Sequence, residues 1–229
     1  MQVARLTTLF RRAKQIYHTE GPIGLLRRGY AFVFYRLFQY RTYYLYVDPV
    51  EYGVPLNEAE FKPNIDNLMA RIVSSNEEAD ELEAQGFDFR SYVSGARRRL
   101  DEGALANCIF VGNALAHIGW IALDQQALDS LDEQPYRVDF ANKEAVGTGV
   151  WTNPKYRRKG FQKYAGFMFH KVLRENGIVV RWTTIRRNNV PAVKSRTSLN
   201  DPCAEGRYLR ILWWKSWKER PLPPEKTIQ

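Results

Sequence analysis

The sequence predicts a mixed α/β domain with an N-terminal helical extension. Two observations lead there. Short β-branched or aromatic runs alternate with stretches of helical periodicity, in the order strand, two helices, hairpin, strand, helix, strand, helix, strand. Crossovers therefore fall only in the second half, as a mixed sheet requires. Positive charge is also concentrated at one end. Residues 1–47 hold eight basic side chains against Glu20 alone, so they carry +7 of the net +9. The expected units are a basic aromatic arm over 1–41, a body over 42–220 and a loose tail over 221–229.

In the arm, Val3, Leu6, Leu9, Phe10, Ala13, Ile16 and Tyr17 recur at helical spacing, with Arg11, Arg12 and Lys14 off the stripe. Gly21-Pro22 ends that helix, and a second is expected from Ile23 to about Tyr40. Such helices can dock on the body, lie on an anionic membrane surface, or bind nucleic acid. Docking ranks first and nucleic acid last.

In the body, Tyr43–Val47 has strand composition and stops at Asp48-Pro49. Leu68–Val73 is the next strand. Ser75 and Glu78 have capping-box spacing for a helix closed by Gly86, and a second helix is expected over Phe89–Glu102. Ala106–Val111 and Ala114–Leu123 flank Gly112-Asn113, a hairpin signal. A loop is expected near Asp124–Pro135, then a strand over Lys143–Thr152. Phe161–Asn176 is a helix stopped by Gly177, Ile178–Ile185 a buried strand, and Asn189–Leu199 a short helix. Arg207–Trp217 is expected as one final strand, with its tryptophans in sheet packing rather than a binding wall.

Composition narrows the class. With 45% hydrophobic and 26% charged residues the chain is neither disordered nor fibrous, and 229 residues can bury a core unaided. Cys108 and Cys203 cannot hold a zinc by themselves and are expected reduced and buried; no metal site is expected. No apolar run reaches a membrane span, and the opening stretch lacks the apolar core of a secretory signal, so a cytoplasmic protein is expected, with peripheral contact with anionic membrane left open. There is no G-x-S-x-G, H-E-x-x-H or G-x-x-x-x-G-K-S/T. Gly147-Thr148-Gly149 is no dinucleotide fingerprint and reads as close approach within a strand.

The stretch 146–177 carries the chemistry. A strand ends at Asn153-Pro154, a basic loop follows (Lys155, Arg157, Arg158, Lys159), and Gly160 opens a helix. Free N–H groups, the positive helix end and these cations suit a phosphate or pyrophosphate. Pro154–Gly160, so placed, resembles the acyl-CoA pyrophosphate loop of the GNAT superfamily of N-acyltransferases. Arg157 and Gly160 match its pattern, while Gln162 stands where Gly or Ala is usual. Asn189-x-x-Ala192 is similar to the family's cofactor-side helix. The resemblance covers roughly residues 66–217.

It implies a mixed, splayed sheet whose cleft admits pantetheine, with Val150, Trp151 and Thr152 pairing to it as an added strand would. It further implies pyrophosphate held by Arg157, Arg158, Lys159, Gly160, Phe161, Gln162 and Lys163, with Asn189 also on the cofactor side. An amine would attack the thioester directly, with acetyl-CoA the expected cosubstrate. The three proton and oxyanion roles are thinly filled. Arg196 stands where the family often has a Tyr acid, beside Ser195, and Tyr208 is another donor. Glu144 and His117 are the base candidates; His170 lies within the cofactor helix and is expected to be surface or core. The alternative is a GNAT-like module without catalysis, binding an anionic surface through its arm.

Overall fold

The computed structural model describes residues 21–23, 37–51, 57–131, 136–197 and 199–223. The first arm helix lies outside these residues, as does the second between Ile23 and Leu37; Gly21–Ile23, where Gly21-Pro22 was expected to end a helix, are themselves helical.

The first strand, β1, runs Phe38–Pro49, so strand has replaced the expected helix before Tyr40. Tyr40, Thr42, Tyr43, Tyr44 and Tyr46 suit a pleated surface, and β1 is paired along both edges, which overrides a helical tendency. β2 (Leu68–Val73) leads to α1 (Asn76–Ala84), capped by Ser75, whose hydroxyl accepts from Glu78 N–H. Glu78 reaches back to Ser74, taking its N–H at 2.7 Å. The next expected helix is divided into a 3-10 turn at Arg90–Tyr92 and α2 (Ala96–Asp101). Gly95, at φ +78, interrupts it.

β3 (Leu105–Val111) and β4 (Ala114–Ala122) form the hairpin, with Gly112 at φ +55. The expected loop after it contains α3 (Gln125–Leu131), capped by Asp124 accepting from Ala127 N–H at 2.8 Å. β5 (Glu144–Thr152), α4 (Phe161–Glu175), β6 (Val180–Arg186) and α5 (Val190–Thr197) follow. The single final strand is two, β7 (Ala204–Ile211) and β8 (Trp214–Pro221), because Leu212 turns at φ +58. Pro221, expected in the loose tail, ends β8.

These strands form one open mixed sheet in the order β2-β3-β4-β5-β6-β1-β7-β8. Only β5 and β6 pair in parallel. Helices α1–α3 cover one face, burying Phe89, Leu100 and Leu128 against Phe110, Ile118 and Trp120. The opposite face carries α4, whose Phe169 and Leu173 pack on Ile121 and Ala145, together with α5, whose Thr197 meets the Tyr46 hydroxyl at 3.2 Å. Gly119 is required beneath α4: a Cβ there would lie 2.9 Å from Phe169 Cζ. Cys108 is buried as expected, whereas Cys203 is exposed; both are free thiols.

Candidate functional site

The cleft begins where β5 and β6 part. They share three parallel pairs, Glu144–Val180, Ala145–Arg181 and Val146–Trp182, and no register beyond them. Two features cause the parting. β6 continues to pair on its other side with β1, as far as Tyr43–Arg186. β5 meanwhile bulges against β4: Trp120 faces Thr148 and Ile118 faces Trp151, so Gly119 alone opposes Gly149 and Val150. Gly149 takes φ +62, and a Cβ there would sit 3.0 Å from Trp120 Cδ1, which gives the glycine its close-approach role. Past Val146, the β5 edge facing β6 has no strand partner among the described residues, a form of backbone open to an extended ligand.

Immediately beyond β5, the chain builds the basic loop. Asn153 fixes its start, donating its main-chain N–H to Ala116 O at 2.9 Å while its Oδ1 accepts from Lys155 N–H at 3.1 Å. Tyr156 is buried edge-on to Phe161, and Lys155 and Lys159 lie 5.6 and 5.8 Å over its ring. Arg158 at φ +63 and Gly160 at φ +84 are both left-handed, and Gly160 caps α4 with no side-chain hydrogen bond. The first-turn amides, from Phe161 to Lys163, therefore point out of the helix end with no intrahelical acceptor. Arg157, Arg158, Lys159, Gly160 and Gln162 are exposed around them. Among the described residues no acid pairs with Arg157 or Arg158. Lys163 turns aside, its Nζ donating to Glu60 O at 3.3 Å and lying 4.9 Å over the Phe61 ring. Next to it the Tyr164 hydroxyl donates to Glu58 at 2.6 Å; burial and that carboxylate push its pKa well up. Asn189 is exposed just ahead of α5, its carbonyl accepting from Val193 N–H at 3.0 Å.

The proton-transfer candidates do not converge. Glu144 stands at the closed end of the cleft, where Oε2 accepts from Trp182 Nε1 at 2.8 Å and from Asp139 N–H at 2.7 Å. His117 faces Thr152 at the open end, eight residues along β5, or about 25 Å at strand rise. Tyr208 is buried on β7 among Tyr43, Leu45 and Ala204, two strands beyond β6 and on the face of α1–α3. Arg196 is also buried, bonded to Asp48 and stacked over Tyr46.

His117 is 1% exposed, and its Nδ1 shares a hydrogen bond of 2.8 Å with Thr152 Oγ1. Burial lowers its pKa to about 4, so it is neutral at pH 7 and a weak base. Because the unfolded chain takes up this proton near pH 6.5, stability is present above that pH and falls as pH drops toward 4. The loss amounts to about 3 kcal/mol at one proton. Urea midpoints measured from pH 7 to pH 4 should show this slope, and His117→Gln should flatten it; an unchanged slope in the variant would assign it elsewhere.

One cationic residue at the cleft had no sequence signal. Arg99, within the Arg97-Arg98-Arg99 run of α2, reads as part of a solvated helix face, yet its guanidinium lies 5.1 Å over the Trp120 ring, beside the Gly149 bulge.

No family model matches the chain, and no curated protein matches it in sequence. Solved structures do. A conserved protein of unknown function from Staphylococcus epidermidis aligns with TM-score 0.41 and 14% identity over 85% of this chain and 63% of its own. A GCN5-related N-acetyltransferase from Kribbella flavida aligns with TM-score 0.37 and 14% identity, over 69% and 53% of the two chains. A tandem GNAT protein from the clavulanic acid biosynthesis pathway gives TM-score 0.44 and 14% identity, over 81% and 55%. The chain thus spans less than two thirds of the length of each. GNAT acetyltransferases are among the solved structures to which this chain is similar.

Proposed function

We propose that the chain is an acyl-CoA-dependent N-acyltransferase, with acetyl the transferred group, acting on an amine by direct attack. The observation that carries this reading is the juxtaposition of two open backbones: the unpaired β5 edge at the splay, and the uncapped N-terminus of α4 directly after it. An extended amide-rich arm suits the first and a pyrophosphate the second. Arg157, Arg158 and Lys159 add charge at the phosphate end, while Lys163 contributes its backbone N–H.

In this reading Val150, Trp151 and Thr152 offer main-chain donors and acceptors to the arm. His117 holds Thr152 in place on the α4 face. The amine nitrogen adds to the acyl carbon, the carbon–sulfur bond then breaks with its electron pair on sulfur, and the proton lost by the amine ends on that sulfur by way of solvent, so that CoA leaves as the thiol. In the same reading, main-chain N–H groups at the β5 bulge serve the developing oxyanion, and positioning supplies much of the acceleration. Glu144 serves to pin the base of the cleft through Trp182 and Asp139 rather than to touch the amine.

The direct test is thermal. CoA or acetyl-CoA present at one hundred times its dissociation constant should stabilise the protein by about 2.7 kcal/mol. That shift should be matched by slow CoA release from acetyl-CoA, followed with a thiol reagent. No melting shift at millimolar concentration would overturn the assignment.

A further inference from the structure

Arg99 is a half-buried charged group at the cleft that no acid pairs with among the described residues. Its guanidinium lies 5.1 Å over the Trp120 ring, and Nη1 is 3.7 Å from where a Cβ on Gly149 would be. The side chain is half-buried. Among the described residues no carboxylate, carbonyl or hydroxyl pairs with it, and the nearest charge acting on it is the like charge of Arg98. Burial and Arg98 both push its pKa down, the signature of a cation held without its anion. Arg90, Arg181 and Arg196 are each paired with an acid in this protein. Arg99, half-buried like Arg181, differs from these three in having no acid partner among the described residues.

A second donor lies beside it. Trp120 is fully buried, and its Nε1–H has no acceptor among the described residues. That nitrogen is bonded to the Cδ1 that approaches the Gly149 Cβ position at 3.0 Å. The Arg99 guanidinium and the Trp120 indole thus lie together against the bulge on the face of α1–α3, and among the described residues neither donor has an acceptor. A buried cation and a buried N–H both gain most from a planar, two-oxygen anion, which a guanidinium grips bidentately.

The side of approach selects the molecule that brings this anion. The basic loop and α4 lie on the opposite face, so the phosphate-bearing ligand enters from there. We infer that Arg99, with the Trp120 N–H, binds a carboxylate of the acceptor, so that the acceptor class is amines bearing a nearby carboxylate, such as α-amino acids. This rests on the acyltransferase reading above and names the substrate class of the same cleft. The same chemistry could arrive on the donor, as the terminal carboxylate of a dicarboxylic acyl group.

The test uses the full chain and two minimal probes that differ in one group, N-acetylglycine and N-acetylglycinamide. Each is titrated calorimetrically into the CoA-loaded protein in low-chloride buffer. N-acetylglycine should bind at least tenfold more tightly. Arg99→Met keeps the apolar stem on Trp120 and should erase that ratio, and Arg99→Lys should restore part of it. Equal binding of the two probes, or a ratio that survives Arg99→Met, overturns the inference. So does a preference that shifts to the donor, seen as succinyl-CoA outbinding acetyl-CoA tenfold in wild type but not in Arg99→Met. If Arg99→Met fails to melt cooperatively, the wild-type ratio and the Arg99→Lys ratio decide. CoA affinity is measured separately, so a protein that binds no CoA condemns the acyltransferase reading, while the probe ratio without CoA still judges Arg99.

Discussion

Gly160→Val should lower CoA affinity at least thirtyfold while the protein still folds. The argument is conformational. At φ +84 the residue occupies left-handed space that a β-branched side chain resists, at about 1–2 kcal/mol. Packing adds little, because the nearest atom to a new Cβ is Pro63 Cγ at 3.7 Å. The chain therefore relieves the strain by re-aiming the first turn of α4, and the amides from Phe161 to Lys163 leave their shared focus. Hydrogen bonds to a charged group are worth about 1.5–3 kcal/mol each, so losing one suffices for a tenfold drop and losing two for far more. Arg158→Ala should cost only about threefold, since an exposed charge is worth up to about 1 kcal/mol and Arg157 and Lys159 remain. Isothermal titration of both variants with CoA, after each is shown to melt cooperatively without ligand, decides it. Equal affinities for Gly160→Val and wild type would remove the loop from the binding site.

Asp48→Ala should destabilise the fold by about 3–5 kcal/mol, because it strands the buried Arg196 and the half-buried Arg181. Asp48 Oδ2 accepts from Arg181 Nε and Nη2 at 3.0 and 2.6 Å, while Oδ1 accepts from Arg196 Nη2 and from Asn200 Nδ2 at 3.0 Å. The Arg196 side chain is only 8% exposed, so water cannot replace the lost partner. Burial by itself would raise the Asp48 pKa, but Arg181 and Arg196 outweigh it and the net shift is downward. Its stabilisation is thus complete above the ordinary carboxylate pKa and is lost as pH falls below about 4. The melting point of Asp48→Ala should drop by about 10 °C at pH 7. Asp48→Asn, which keeps a hydrogen-bond acceptor, should lose less. A drop of under 2 °C in Asp48→Ala would show that the cluster contributes little to the docking of α5.

Much of this molecule could be read from local chemistry. The Gly112-Asn113 hairpin, the Ser75 cap and the Gly160 helix start depend on a few adjacent residues, and each is where the spacing put it. What escaped depends on contacts distant in sequence. The aromatic run after Leu37 looks helical until β6 and β7 claim both its edges. α3 was hidden in a polar stretch, although Asp124 as cap, the buried Ala127 and Leu128 and the partly buried Leu131 carry its signature. The turn at Leu212 was masked because a leucine at positive φ carries no compositional mark. In the cleft, the loop was legible as a motif, whereas Arg99 became visible only once α2 brought it over Trp120.

The placement of β1 also dictates an order of assembly. Among the described strands it leaves the ribosome first, yet its partners on both edges come at least 131 residues later, Pro49 with Val180 being the closest in sequence. The hairpin-connected strands β3 and β4 can condense with β2 and α1–α3 meanwhile, since their contacts are local. Until β6 and β7 emerge, β1 waits as an aromatic strand with two bare edges, the form of nascent chain most prone to pairing with a neighbour. Its arrival then joins two half-sheets at once. Closure of the cleft's distal wall, from β6 through β8, is accordingly a late event that a chaperone or a slow ribosome would favour.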